Sequence, residues 1–496
     1  MSQRPTVVSL QPSQLAGAVA AAVRDGGRFA ALVARADRGG STVLRAVAAI
    51  SGQLTTFETT LDPGVDQYPA LTPAVAAAAW YEREIHDLFG LRPAGHPRLD
   101  PLVLPLGPGA EHPRPGRKDG PPHLEPDVAH LPSHVSGEGV FTITYGPVRS
   151  GVFESVEYLV ETPGEEIPHL RTRVYHKHRG LQQRFSDLKV DDAVLLAERV
   201  EGTASVAHAM AISQALESLG GVEPPRSAKL IRVVHAELER VAAHLDSIIR
   251  HTEGSGQAVA YARMAFHKER ILRLRGRLCG HRFGRGVVVP GGVTGPLRIS
   301  LTEASAEMGR IAEAIAADTA ELMTTPSFLD RLRGTGILPT SVVAEHGALG
   351  PVGRGSGLGE DVRKQRPYGA YRFLEFTTAC FTEGDALARQ KVRIEEIAQA
   401  FHLARQALDE LPQTDEGPWR LELPPPDGVE WGSVEAPQGE LLYLVEADAG
   451  RLVGVKPRSA SFHNLALFAQ AFRGDILTDF VFIEASFGVS MAGVSG

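Results

Sequence analysis

Hydrophobic and polar positions divide the chain into three regimes. From Leu15 to Val23 an Ala-rich segment predicts a helix; "RFAALVARA", "STVLRAVAAI" and "QLTTFETTL" then follow as short β-prone runs between turn residues, the pattern of a small α/β domain closing near Pro105. The stretch "GPGAEHPRPGRKDGPPHLEP" has no apolar period and is dense in Pro, Gly and charge, so residues 106–138 read as a linker. Beyond it, "VFTITYGPVRSGVFESVEYLVETPGEEI" predicts a small sheet of hairpins. Helices then dominate. In "PPRSAKLIRVVHAELERVAAHLDSIIRHT" the residues Ile231, Val234, Leu238, Val241, Leu245 and Ile248 recur at steps of three and four. Further helices are expected near Asp191 to Leu219, Ala258 to Leu278, Leu301 to Met323 and Gly384 to Leu411. Near the end, "GELLYLVEADAGRLVGV" reads as two strands about the turn "DAGR", and "DFVFIEASFGV" reads as a final strand.

The pattern gives an α+β multidomain chain: a small α/β domain over 1–105, a linker over 106–138, and a mainly helical body over 139–496 with small sheets at its start and end. A length of 496 residues agrees, since it exceeds what one ordinary core holds. The net charge of -8 excludes the basic excess that a nucleic-acid binder needs. Cys279 and Cys380 lack a CxxC neighbour, which rules out a disulfide framework or a four-thiolate site and predicts two buried, reduced thiols. No run reaches the roughly 18 apolar residues of a membrane helix, so work at a membrane would go through partners.

Several local patterns invite chemistry and have plainer readings. His176 and His178 in "YHKHRG" have ligand-like spacing but no third ligand for zinc. "GRGSGLGED", Gly353 to Asp361, resembles a phosphate loop only loosely and is expected to be a flexible connection. No glycine-rich dinucleotide fingerprint is visible, so any link to NADH would run through another subunit.

Two sets of motifs carry a family resemblance. "YEREIHDLFGL" with "GHPRLDPLVLP" resembles the smaller soluble subunit of respiratory complex I and the N-terminal part of formate-hydrogenlyase-type hydrogenase large subunits. In that family this segment docks between subunits, which gives Glu82 to Asp87 an interface role. The later stretches "TYGPVRS", "YHKHRGLQQRF", "ERVEGTASVAH", "EDVRKQRPYGAY", "VKPRSASFHNL" and "IEASFGVSMAGVSG" are similar to the complex I quinone-site subunit and to the large subunit of membrane-bound nickel-iron hydrogenases. The resemblance implies a hydrogenase-large-subunit-like body in a membrane-associated, energy-converting hydrogenase-related or NADH:quinone oxidoreductase-like assembly. It implies as partners an iron-sulfur subunit and antiporter-like membrane subunits, with this chain peripheral on the cytoplasmic side.

The family holds nickel and iron with four thiolates, the soft ligands that such a centre requires. Its early motif, R-x-C-G-x-C-x-x-A-H, finds Arg199, Gly202, Ala207 and His208 here, with Glu201 and Ala204 at the cysteine positions. Its late motif puts Ser490 and Gly493 at the other two. The implied expectation is no metal and no cofactor held by this chain, an iron-sulfur cluster on a partner, and no hydrogen turnover by the family mechanism. The quinone loop G-P-x-H-P-x-x-H-G is also altered: Arg149 and Phe153 replace its histidines, and Gly202 stands where the family has a tyrosine. A quinone remains an acceptor only in an altered pose. The candidate cavity residues are Arg149, Glu201, His208, Arg363, Tyr368 and Glu484. The plain expectation is that Glu201 and Arg149 pair to fill the vacated pocket; the sharper one is that Glu201 and His208 move protons. A non-catalytic coupling role in the same assembly is the alternative.

Overall fold

The computed structural model describes residues 6–37, 39–116, 123–131, 137–149, 154–411 and 418–496. In the N-terminal domain, strands β1 (Thr6–Ser9), β2 (Arg28–Ala36), β3 (Thr42–Ile50) and β4 (Gln53–Leu61) form a sheet of order β1-β4-β3-β2. Only the β1–β4 pair is parallel. Helix α1 (Pro12–Arg24) packs on this sheet through Leu15 and Val19, and α2 (Ala79–Phe89) lies against β2.

The stretch expected as a linker is in part laid on this domain. Arg114 N–H donates to the Leu88 carbonyl at 2.8 Å, Ala36 N–H donates to the Pro115 carbonyl at 3.2 Å, and Gly116 sits where a Cβ would meet the Ala36 oxygen at 2.6 Å. Proline has no N–H to satisfy, so this segment packs with few hydrogen bonds; residues 117–122 and 132–136 lie outside the described residues.

The body opens with an antiparallel sheet of β5 (Phe141–Tyr145), β6 (Glu157–Thr162) and β7 (His169–Arg173). Its longer helices include α3 (Val190–Ala197), α4 (Ser205–Gly220), α5 (Arg226–Gly254), α6 (Ala258–Cys279), α7 (Leu301–Leu322) and α8 (Ala386–Asp409). Helix α5 is the axis, packed by α6 and α8. A second antiparallel sheet follows: β8 (Gly428–Ala436), β9 (Gly439–Asp448) and β10 (Arg451–Arg458).

Strand β9 explains why "ELLYLVEA" lacks the alternation of a half-exposed strand. Side chains alternate across a sheet, and here both faces are buried. Leu441, Tyr443 and Val445 enter the helical core, while Leu442 and Leu444 enter a second core shared with the N-terminal sheet. Buried charge closes the same seam: Arg28 pairs with Glu440 at 2.6 Å, and Arg45 with Glu446 at 2.6 Å.

Four expectations are corrected. "DFVFIEASFGV" contains a helix, α9 (Phe480–Phe487), not a strand, because a short, nearly continuous apolar run has no period to tell the two apart. The helix expected over Asp191 to Leu219 breaks at 198–204. The "flexible" Gly353 to Asp361 stretch is packed: Arg354, Ser356 and Asp361 are buried, and Arg354 binds Glu396 at 2.7 Å. Neither thiol is fully buried, since Cys380 is exposed and Cys279 half-buried.

The carboxylates of "EREIHD" face inward. Glu82 accepts from Leu71 N–H and Thr72 N–H, and Asp87 from the N–H groups of Leu102, Val103 and Leu104. Glu84 pairs with Lys456 of the body at 2.6 Å. This segment is an interface within the chain itself.

Candidate functional site

The break between α3 and α4 creates the site. Glu198 accepts from Gly286 N–H at 2.6 Å on one side of it. On the other, Glu239 of α5 accepts from Val206 N–H at 2.9 Å and Ala207 N–H at 3.0 Å, supplying the cap that Ala204 cannot. Burial pushes the Glu239 carboxyl up, opposed by Arg275 at 3.2 Å. Arg179 spans the gap to the C-terminal segment, donating to the carbonyls of Arg199 (3.1 Å), Val200 (2.9 Å) and Ala492 (2.7 Å). The frame is therefore held together by hydrogen bonds to its backbone on both sides.

Inside it, Glu201 is 2% exposed and His208 fully buried. Glu201 Oε2 lies 3.7 Å from His208 Nε2, and His208 Nδ1 lies 2.6 Å from the Tyr443 hydroxyl. Glu201 Oε1 and His208 Nε2 meet no hydrogen-bond partner among the described residues. Burial raises the Tyr443 phenol well above its ordinary value, with Glu201 adding to the rise. The Glu201 carboxylate lies where a side chain at 493 would stand: a Cβ on Gly493 would come 1.5 Å from Oε1. Of the four positions that the resemblance matches to cysteines, the place of one side chain is thus filled by that of another.

The remaining two positions are also committed. Ala204 is buried, and the Ser490 hydroxyl lies 3.2 Å from both oxygens of Glu154, which also accepts from Ala492 N–H at 2.8 Å. A carboxylate, a methyl, a hydroxyl and a hydrogen do not fit a centre that requires soft thiolates. Among the described residues no group of three or more His, Cys, Asp and Glu side chains is placed to hold a metal, His176 and His178 included.

The expected Arg149–Glu201 pair does not form. Arg149 is claimed by Glu484 on α9 through two bonds at 2.7 and 2.8 Å, with the Tyr158 hydroxyl donating to Glu484 at 3.0 Å. Burial alone would lower the Arg149 guanidinium, but the Glu484 contact outweighs it and the net shift is upward. Ser150 to Phe153 lie outside the described residues. Arg363 and Tyr368 belong elsewhere too. Arg363 binds Asp361 at 2.6 Å and Glu237 at 3.1 Å, and the Tyr368 hydroxyl accepts from Glu435 N–H at 3.0 Å. Of the six candidates, then, Glu201 and His208 adjoin each other, Arg149 and Glu484 form a second pair, and Arg363 and Tyr368 sit in a buried charge network.

Sequence reasoning passed over Arg179, Tyr443 and Glu154. Arg179 stood beside His176 and His178 with no spacing of its own to mark it, and a lone buried Tyr or a Glu beside a loop carries none either.

Comparison with known proteins places these features among relatives. The model of the respiratory-chain NADH dehydrogenase 49 Kd subunit matches residues 255–424 and 419–495, and that of the 30 Kd subunit matches residues 11–125. The chain is 31% identical over 315 residues to the carbon monoxide-induced hydrogenase of Rhodospirillum rubrum, covering 62% of this chain and 86% of the relative. Formate hydrogenlyase subunit 5 of Escherichia coli is 26% identical over 438 residues, 86% of this chain and 76% of the relative. The C/D subunit of the NADH-quinone oxidoreductase of Acidiphilium cryptum is 28% identical over 471 residues, 84% of this chain and 78% of the relative.

Proposed function

The chain belongs to the family that unites the 30 and 49 Kd subunits of respiratory NADH dehydrogenase with their hydrogenase relatives, and from that membership we propose that it is the fused soluble subunit of a membrane-associated redox assembly, without a nickel-iron centre of its own. The observation that carries this reading is the Glu201 carboxylate standing in the space of a residue 493 side chain. Among the described residues no helix is long and apolar enough to cross a membrane, so attachment would go through partners on the cytoplasmic side. Those partners are an iron-sulfur subunit, which would hold the cluster, and antiporter-like membrane subunits.

Metal analysis of the native assembly, isolated by a tag on this chain, tests the proposal. Iron without nickel is the expected result. One nickel per chain would overturn it.

The contact from Glu201 through His208 to Tyr443 favours a second reading, in which the assembly moves protons through this frame, to a quinone or another small acceptor. Glu201→Gln keeps the shape and removes the titrating group. In this reading the variant assembles normally and its electron-transfer activity is lost; full activity would leave Glu201 as pocket filling and the chain in a coupling role.

A further inference from the structure

A cavity of about 360 Å³ lies at the seam between the N-terminal domain and the body, within the range of small-molecule sites. Its walls are mainly apolar and come from both sides: Leu32, Val33 and Leu88 from the N-terminal domain, Leu181, Val200 and Phe462 from the body. It is separate from the small cavity of about 50 Å³ beside Arg149 and Glu484. It does share a wall with the Glu201 frame, because Val200 and Gly493 line it.

The charge on this lining is unbalanced. Arg179, Lys456, Arg458 and the exposed Arg184 line the cavity with one acidic side chain, Glu84, and with Gly496, whose oxygen accepts from Arg179 N–H at 2.7 Å. Lys456 is paired with Glu84 at 2.6 Å and Arg458 with Glu440 at 2.8 Å. Arg179 has no ion-pair partner among the described residues; its guanidinium bonds go to three backbone carbonyls, and its buried Nε–H meets no acceptor. The Nε–H of Arg458, a residue 2% exposed, is likewise without an acceptor. A guanidinium donor left unmade in a buried place is costly, and an anion supplies what it lacks. Burial lowers the Arg179 guanidinium from its ordinary value, with Glu154 and Glu201 opposing from a distance.

We propose that this cavity binds an amphiphilic carboxylate, its apolar body against the Leu32, Leu88 and Leu181 walls and its carboxylate on Arg179. The site stands independently of the redox reading, since it uses none of the four former ligand side chains for binding.

The test is calorimetric titration of the full chain with decanoate, below its micellar concentration, and with decanol as the uncharged counterpart. Saturable binding of one decanoate per chain is expected, with decanol about tenfold weaker or more, as befits a charge-assisted contact. Leu88→Trp, which fills the cavity, should abolish binding, and Arg179→Gln should bring decanoate down to the affinity of decanol. Equal affinity for the two probes, failure to saturate, or decanoate binding unchanged in Arg179→Gln would each overturn the proposal. The comparison of probes on the unaltered chain needs no variant to fold.

Discussion

Gly493→Ala is expected to destabilise the chain by about 3 kcal/mol, the upper end of what overpacking a close-fitted interior costs. The reason is steric and local. Gly493 is not among the glycines with a left-handed backbone, so alanine brings no conformational penalty there. Its methyl would, however, fall 1.5 Å from Oε1 and 2.4 Å from Cδ of Glu201, a side chain only 2% exposed. The carboxylate cannot swing into water, and any shift disturbs its 3.7 Å contact with His208. Urea unfolding of the full chain measures the loss. The paired variant Glu201→Ala with Gly493→Ala should restore most of it, leaving a difference below about 1 kcal/mol, because coupling between touching residues is where additivity fails. A cost undiminished in the double variant would show that residue 493 is constrained by something other than the carboxylate.

Glu440→Ala should cost about 4 kcal/mol, the scale for removing one member of a buried ion cluster. Glu440 receives Arg28 at 2.6 Å and Arg458 at 2.8 Å, and Arg366 also binds it. Removing it leaves Arg366 and Arg458 without their carboxylate at the seam, while Arg28 keeps Glu360 at 2.8 Å. Burial favours the neutral acid, but the three arginines prevail and hold the Glu440 carboxyl well below its ordinary 4.5. A carboxyl depressed on folding contributes its stability above the unfolded value and loses it as pH falls through the folded one. The difference between parent and Glu440→Ala should therefore persist at pH 5 and shrink only below about pH 4. The exposed pair of Arg226 with Glu410 is the control: Arg226→Ala should leave the urea midpoint unchanged.

What the sequence made legible follows from which forces are local. Helix α5 was readable because its apolar residues repeat at the helical period, and the hairpin of β9 and β10 because "DAGR" sits between two apolar runs. Helix α9 was not, since Phe480 to Phe487 is apolar nearly throughout and its helicity comes from being surrounded. That no thiolate stands at 201, 204, 490 and 493, the positions the resemblance matches to the hydrogenase cysteines, was legible from residue identity alone. Their mutual accommodation was not, because residues 201 and 493 are brought together only by the fold. The same holds for Arg149: its charge called for a carboxylate, but nothing in the order of residues chose Glu484 over Glu201.

Strand β9 gives the two parts of the chain a common fate. Tyr443 reaches the His208 frame from one face, while Leu442 and Leu444 support the N-terminal sheet from the other. A slip of one residue in its pairing would exchange the two sets and spoil both interiors at once. The strand thus acts as a party wall: neither tenant can be remodelled without notice to the other, and a disturbance at the N-terminal sheet has a one-residue path to the tyrosine beside Glu201.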